Sequence, residues 1–276
     1  MTFHIVFPIL LCSFALPQAN AYAIDNNFNT YYSYLWGGDH FTVNPQGTLA
    51  QLKFDSATGA GFKSKSDYGS GLFHMKMKIP ANRTQGVITS FYLTEVQVGQ
   101  SAYENHFEVD FEFIGTDGSV STNIFANDKG YREQVFKLWF NPSQDFHSYD
   151  ILWNSHQIVF IVDNIPLRVF KNNAAQGVAF PSSPMHIEAS IWHADWAGQV
   201  DWSGSPFIAS YSDFGFYACA GDDMSKCGSP RYFWNGPKYL ELNAAQKQQM
   251  AEYRRKYMIY DYCTNPNLRK KECDWN

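Results

Sequence analysis

Residues 106–115 read His106-Phe107-Glu108-Val109-Asp110-Phe111-Glu112-Phe113-Ile114-Gly115. Successive side chains of a β-strand point to opposite faces. Phe107, Val109, Phe111 and Phe113 therefore share one face, and His106, Glu108, Asp110 and Glu112 share the other. Acidic residues are poor strand formers, and like charges on one face repel. A strand built only to support a core rarely carries three of them in alternation. The stretch reads as a strand with an apolar face for a core and a carboxylate face for chemistry.

Similar runs lie on either side. Gly71 to Ile79, Gly86 to Leu93, Ile151 to Asp163 and Met185 to Trp192 are β-rich and bounded by turn signals. Trp36-Gly37-Gly38, Asp117-Gly118 and Asp163-Asn164 punctuate them. No amphipathic helix alternates with these strands, which disfavours a parallel α/β sheet. The expected fold is all-β, a curved antiparallel sandwich of the jelly-roll type. After about residue 220 the composition changes. Asn243 caps an expected helix from Ala244 to roughly Met258, with Met250, Tyr253 and Tyr257 on one side and Lys247, Arg254, Arg255 and Lys256 on a solvated one. The domains expected are a signal peptide at 1–23, a catalytic domain at 24–216 and a C-terminal extension at 217–276.

The 276 residues suffice for one core, and a net charge of −5 excludes a strongly basic nucleic-acid binder. Residues 5–16 form a short apolar run, followed by the small-x-small sites Ala19-Asn20-Ala21 and Ala21-Tyr22-Ala23, as in a secretory signal. No later segment is long and apolar enough for a membrane helix. Cys12 leaves with that signal, and four cysteines remain: Cys219, Cys227, Cys263 and Cys273. An even number in an exported chain points to disulfides. Three pairings are open, and the short separations favour 219–227 with 263–273. No CxxC pair or histidine cluster supports a zinc site, and neither metal nor cofactor is expected. Asn82-Arg83-Thr84 is a glycosylation sequon.

Three carboxylates on one strand suit glycoside hydrolysis. A retaining enzyme needs one ionised carboxylate and one protonated carboxyl about 5–5.5 Å apart, an inverting one a wider gap. Residues four apart on a strand are about 13 Å apart at Cα, so the glutamates must lean together, and the residues alone leave the stereochemistry open. Asp110, between them, raises a neighbour's pKa through its charge and can share a proton with the nucleophile.

The motif His-x-Glu-x-Asp-x-Glu-Phe-x-Gly resembles that of the plant xyloglucan endotransglucosylase/hydrolases in glycoside hydrolase family sixteen. Gly61-Phe62-Lys63-Ser64-Lys65, Tyr131-Arg132-Glu133-Gln134 and Trp139-Phe140-Asn141-Pro142 are similar to further family segments. So are Asp145-Phe146-His147, Ile151-Leu152-Trp153-Asn154, Pro206-Phe207-Ile208-Ala209-Ser210-Tyr211 and Tyr262-Cys263-Thr264. The resemblance runs from about residue 30 to the C-terminus. It implies Glu108 as nucleophile, Asp110 as helper and Glu112 as acid/base. It implies Tyr92, His106, Asn123, Arg132 and Glu133 lining a cleft, with Trp192 and Trp196 stacking on sugars.

The implied activity cuts the β-1,4-glucan backbone of xyloglucan and passes it to a saccharide acceptor or to water, in the plant cell wall. The implied partners are a polysaccharide donor and a saccharide acceptor, met by a monomer without nucleic acid or membrane. Departures cluster near the site. Thr116 stands where a glycosylated Asn is common, Ser121 where a glutamine is usual and Val135 where an arginine often lies. The segment around 195–201 is shorter than in the family and that around 93–105 longer. Two alternatives follow: mixed-linkage glucan or cellulose as donor, or a non-catalytic jelly-roll glycan-binding protein. A lectin, however, has no need of a nucleophile and a proton donor on one strand.

Overall fold

A computed structural model describes residues 25–81, 83–115 and 118–275. The expected signal peptide at 1–23, Cys12, Asn82 and Thr116 lie outside them. Sixteen strands run in chain order through the described residues: β1 Tyr32–Trp36, β2 Phe41–Val43, β3 Leu49–Phe54, β4 Ala60–Ser64, β5 Tyr68–Lys78, β6 Val87–Thr94, β7 His106–Ile114 and β8 Ser119–Asp128, then β9 Gln134–Lys137, β10 His147–Trp153, β11 Gln157–Val162, β12 Ile165–Lys171, β13 His186–His193, β14 Phe207–Ser212, β15 Tyr217–Ala220 and β16 Met258–Asp261. They form two antiparallel sheets. One has the order β1-β4-β13-β6-β7-β8-β9-β16; the other runs β12-β11-β10-β5-β14-β3-β2, with β15 paired to β5.

The core lies between the sheets. From β7, Phe107, Val109, Phe111 and Phe113 all enter it. Phe111 meets Phe160 and Tyr149 of the opposite sheet edge-on, at ring-centroid distances of 5.1 and 5.6 Å. Each such ring removed from water contributes about 2–3 kcal/mol. The apolar half of the alternation thus holds the strand, and with it the acids on the other face.

The expected single run Ile151 to Asp163 is in fact the hairpin of β10 and β11. Asn154 turns the chain: its Oδ1 accepts from the backbone N–H groups of His156 and Gln157 at 2.9 and 3.0 Å. Asp163 and Asn164 then adopt left-handed backbone angles between β11 and β12, as a tight hairpin turn requires.

The C-terminal region covers a second apolar surface. Leu152, Val159 and Ile161, on the outer face of the second sheet, pack with Cys219, Cys227, Trp234 and Leu242. The helix Ala244–Tyr257 starts at an Asn243–Gln246 capping box and sets Tyr253 against Trp139. Its basic side is not wholly solvated: Arg254 bonds Gln134 Oε1 at 2.6 Å and Asp261 Oδ2 at 3.0 Å. Buried acceptors reward a cation that can reach them, and the helical pattern shows only that Arg254 is off the apolar side. Strand β16 then joins the first sheet beside β9. Disulfides join Cys219 to Cys227 and Cys263 to Cys273. No described helix is long and apolar enough to cross a membrane.

Candidate active site

Directly paired residues on neighbouring strands share a face, so the register of the first sheet maps its cleft side. Three rows cross it, one through each acid. Glu108 lies opposite Thr94 on β6 and Phe125 on β8. Asp110 lies in the row Lys63, Glu188, Tyr92, Asp110, Asn123. Glu112 lies in the row Gly61, Ser190, Ser90, Glu112, Ser121, Val135, Tyr260. The last row is built largely from small side chains, so little bulk flanks Glu112 within it. A Cβ at Gly61 would meet Trp36 Nε1 at 2.6 Å, so only glycine lets the indole approach there.

The three acids differ in environment. Asp110 is buried, and burial raises its pKa well above the carboxylate range, reinforced by the charges of Glu108 and Glu112. Its bond to Glu108 acts in the same direction. Burial, then the charges of Glu108 and Glu133, push the Glu112 carboxyl up to about 8. Crowded carboxylates out of water cannot all ionise. Near neutral pH Glu112 therefore keeps its proton, and burial beside the other acids favours the neutral form of Asp110 as well.

His106 Nδ1 donates to the Glu104 carbonyl at 2.8 Å. Its Nε2 stands 3.5 Å from Glu108 Oε2, and its ring stacks on Phe125. Burial is the largest influence on this imidazole and would lower its pKa, yet the nearby Glu108 carboxylate and the bond to the Glu104 carbonyl raise it overall. His106 Nε2, Asp110 Oδ1 and Ser121 Oγ are buried polar atoms without a hydrogen-bond partner among the described residues. Buried polar groups are nearly always paired. Three such atoms on the acidic face suit a ligand rich in hydroxyls.

Tyr92 donates its hydroxyl proton to Glu188 Oε2. Asn123 Nδ2 reaches Glu133 Oε1 at 3.4 Å, and Glu133 acts electrostatically on both Asp110 and Glu112. Trp192, at the end of β13, meets Trp196 edge-on at 6.4 Å, and Trp196 is 63% exposed. Both rings flank the Glu112 end, since Trp192 pairs with Ile88 and Ile88 with Ile114.

Arg132 is placed elsewhere. Its side chain is buried, with Nε donating to Glu272 Oε1 at 2.5 Å and Nη1 to Asp128 Oδ1 at 2.8 Å. Its backbone N–H donates to Asn123 Oδ1 at 3.0 Å, so it supports the cleft from behind. Glu188 and His186, which the sequence reading does not include, share this face of the sheet. The alternation of His186, Glu188 and Ser190 with Trp192 on β13 carries the signal for it.

Two family models match the chain, glycosyl hydrolases family 16 over residues 28–207 and the xyloglucan endo-transglycosylase C-terminus over residues 228–267. The chain is 42% identical to xyloglucan endotransglucosylase/hydrolase protein 2 of Arabidopsis thaliana, over 98% of this chain and 97% of that protein. It is 44% identical to protein 3 of the same name and organism, over 86% and 84%. A similar protein in Brassica oleracea var. botrytis is 42% identical over 88% and 85%. Among solved structures, a Bacillus licheniformis β-glucanase superposes with a TM-score of 0.58, at 22% identity over 70% of this chain and 94% of that one. The laminarinase catalytic domain of Thermotoga maritima gives 0.57 at 14% identity, over 68% and 91%. These two establish likeness of fold.

Proposed function

The chain belongs to glycosyl hydrolases family 16, and on that basis we propose that Glu108 is the nucleophile, Glu112 the acid/base and Asp110 the proton-sharing helper of a retaining xyloglucan endotransglucosylase/hydrolase. The substrate is the β-1,4-glucan backbone of xyloglucan. Glu112 gives its proton to the glycosidic oxygen as that C–O bond breaks, and a Glu108 oxygen bonds the anomeric carbon. An acceptor hydroxyl then loses its proton to Glu112 and attacks the same carbon, and the bond to Glu108 breaks. A sugar acceptor completes transfer; water completes hydrolysis.

The observation that carries this reading is the placement of Glu108, Asp110 and Glu112 side by side on one face of β7, where burial and neighbouring charge raise the Glu112 carboxyl to about 8. A proton donor and an ionised neighbour on one face are what the two steps require. The small side chains in the row from Gly61 to Tyr260 suit a donor and an acceptor bound beside Glu112. Two disulfides suit an oxidising compartment, in line with secretion to the plant cell wall. We take the active form to be a monomer, with residues 24–216 as catalytic domain and 217–276 as extension.

Incubating the protein with xyloglucan and a labelled oligosaccharide acceptor tests the reading. Label in polymer shows transfer, and new reducing ends without label show hydrolysis. Absence of both would refute it.

A further inference from the structure

Glu188 has no part in the scheme above, yet it sits two strands from Asp110 on the cleft face, with Tyr92 between them. Both of its oxygens are engaged. Oε2 accepts from the Tyr92 hydroxyl and Oε1 pairs with His186 Nε2 at 2.7 Å. His186 is buried, and its Nδ1 lies 3.6 Å from Asp67 Oδ1. A carboxylate can only accept, so both neighbours donate to it.

This arrangement decides which way Tyr92 can act. A phenol has one proton. With that proton held by Glu188, the hydroxyl has only lone pairs left to offer the other acids that act on it electrostatically, Glu108 and Asp110. Tyr92 remains a neutral phenol: burial, followed by the charges of Glu188 and Glu108, raises its pKa well above the usual value. Its cross-strand neighbour on β7 is Asp110, whose Oδ1 has no partner among the described residues.

A phenolic proton released into the cleft would change the balance there. It would bond the nearest carboxylate oxygen, and a hydrogen bond donated to an anion lowers its basicity and its nucleophilicity. We propose that Glu188 is a positioning residue: by retaining the Tyr92 proton it keeps the phenol an acceptor toward the Asp110–Glu108 pair and keeps that proton off the nucleophile. The inference rests on the catalytic reading of Glu108. His186, donating to the other oxygen, fixes the carboxylate in this orientation.

The test is a double-mutant cycle on transfer rate with xyloglucan and a labelled acceptor. A glutamine at this position has one oxygen for two donors, so its amide meets either His186 or Tyr92 with an N–H. We expect Glu188→Gln to lower kcat about tenfold, the size of one misdirected hydrogen bond, and to leave KM within about twofold. In the Tyr92→Phe background, which has no proton to release, the same change should cost almost nothing. A full tenfold loss in that background, or no loss in the wild-type background, would overturn the inference. Should Glu188→Gln fail to fold by circular dichroism, Glu188→Asp takes its place in the cycle with the same expectations. Glu108→Ala is measured alongside. Activity there would sink the catalytic reading itself, whereas an inactive Glu108→Ala with an additive cycle would sink only the role of Glu188.

Discussion

Arg132 and Glu272 form a buried ion pair, Nε to Oε1 at 2.5 Å, that ties the strand connection behind the cleft to the last turn of the chain. Glu272 also accepts from Tyr262 at 3.2 Å and precedes Cys273, which is bonded to Cys263. The C-terminal region is thereby fastened to the residue whose backbone N–H holds Asn123.

Breaking one side of such a pair leaves a buried charge without its partner. Arg132→Met should cost about 3–5 kcal/mol. The double change Arg132→Met/Glu272→Met should cost less than either single change, because no buried charge is then stranded and Asp128 keeps Lys270 as its partner. Urea unfolding followed by fluorescence measures all three. A wild-type midpoint for Arg132→Met would contradict this placement of its side chain.

The Glu112 carboxyl, raised to about 8, sets a pH limit. It donates only while protonated, so transfer should fall as pH rises through about 8. Its effect on stability has a definite sign. Glu112 keeps its proton to about 8 when folded but loses it near 4.3 when unfolded, so its contribution to stability declines as pH rises between those values. Glu112→Gln should therefore lack this decline and melt several degrees above wild type at pH 7.5, while losing nearly all transfer. Calorimetry at pH 5 and 7.5 compares the two proteins.

Trp196 is exposed and meets Trp192 only at its edge. Trp196→Ala should change stability by less than about 0.5 kcal/mol and raise KM for xyloglucan several-fold, with kcat nearly unchanged. Steady-state kinetics on a xyloglucan oligosaccharide separates the two constants. A falling kcat at unchanged KM would place the ring outside the substrate path.

The two disulfides close short loops, with sequence separations of 8 and 10. In the chain-entropy account each contributes about 2–3 kcal/mol. Replacing Cys263 and Cys273 by serine should lower stability by that amount. It should reduce transfer more than the Cys219/Cys227 replacement does, because Cys273 adjoins Glu272. Equal effects on transfer would argue against a link from the C-terminal turn to the cleft.

Much of the fold was legible because period-two patterning is a local property. Alternation alone separated Phe107, Val109, Phe111 and Phe113 from the three acids, and the structure places those four in the core, with the acids on the opposite face of β7. Turn chemistry is less legible where a side chain makes the turn without glycine or proline, as Asn154 does through its Oδ1 in the β10–β11 hairpin. The candidate acids are legible on β7, whereas Glu188 is obscure on β13. Glu188 acquires meaning only through its neighbour across the sheet, and pairing register is not written in either strand by itself. Arg132 shows the opposite difficulty. A motif locates a residue in the chain, but its burial depends on Glu272, 140 positions away.

The central claim is that Glu108 carries the glycosyl group between donor and acceptor. Its most direct test traps that intermediate with a xyloglucan oligosaccharide bearing fluorine at C2 of the reacting sugar and an activated leaving group, followed by digestion and mass spectrometry. The account predicts one sugar adduct on the peptide containing Glu108, and none in the well-folded Glu108→Ala protein. An adduct on another residue, or an active enzyme that never forms one, would contradict it.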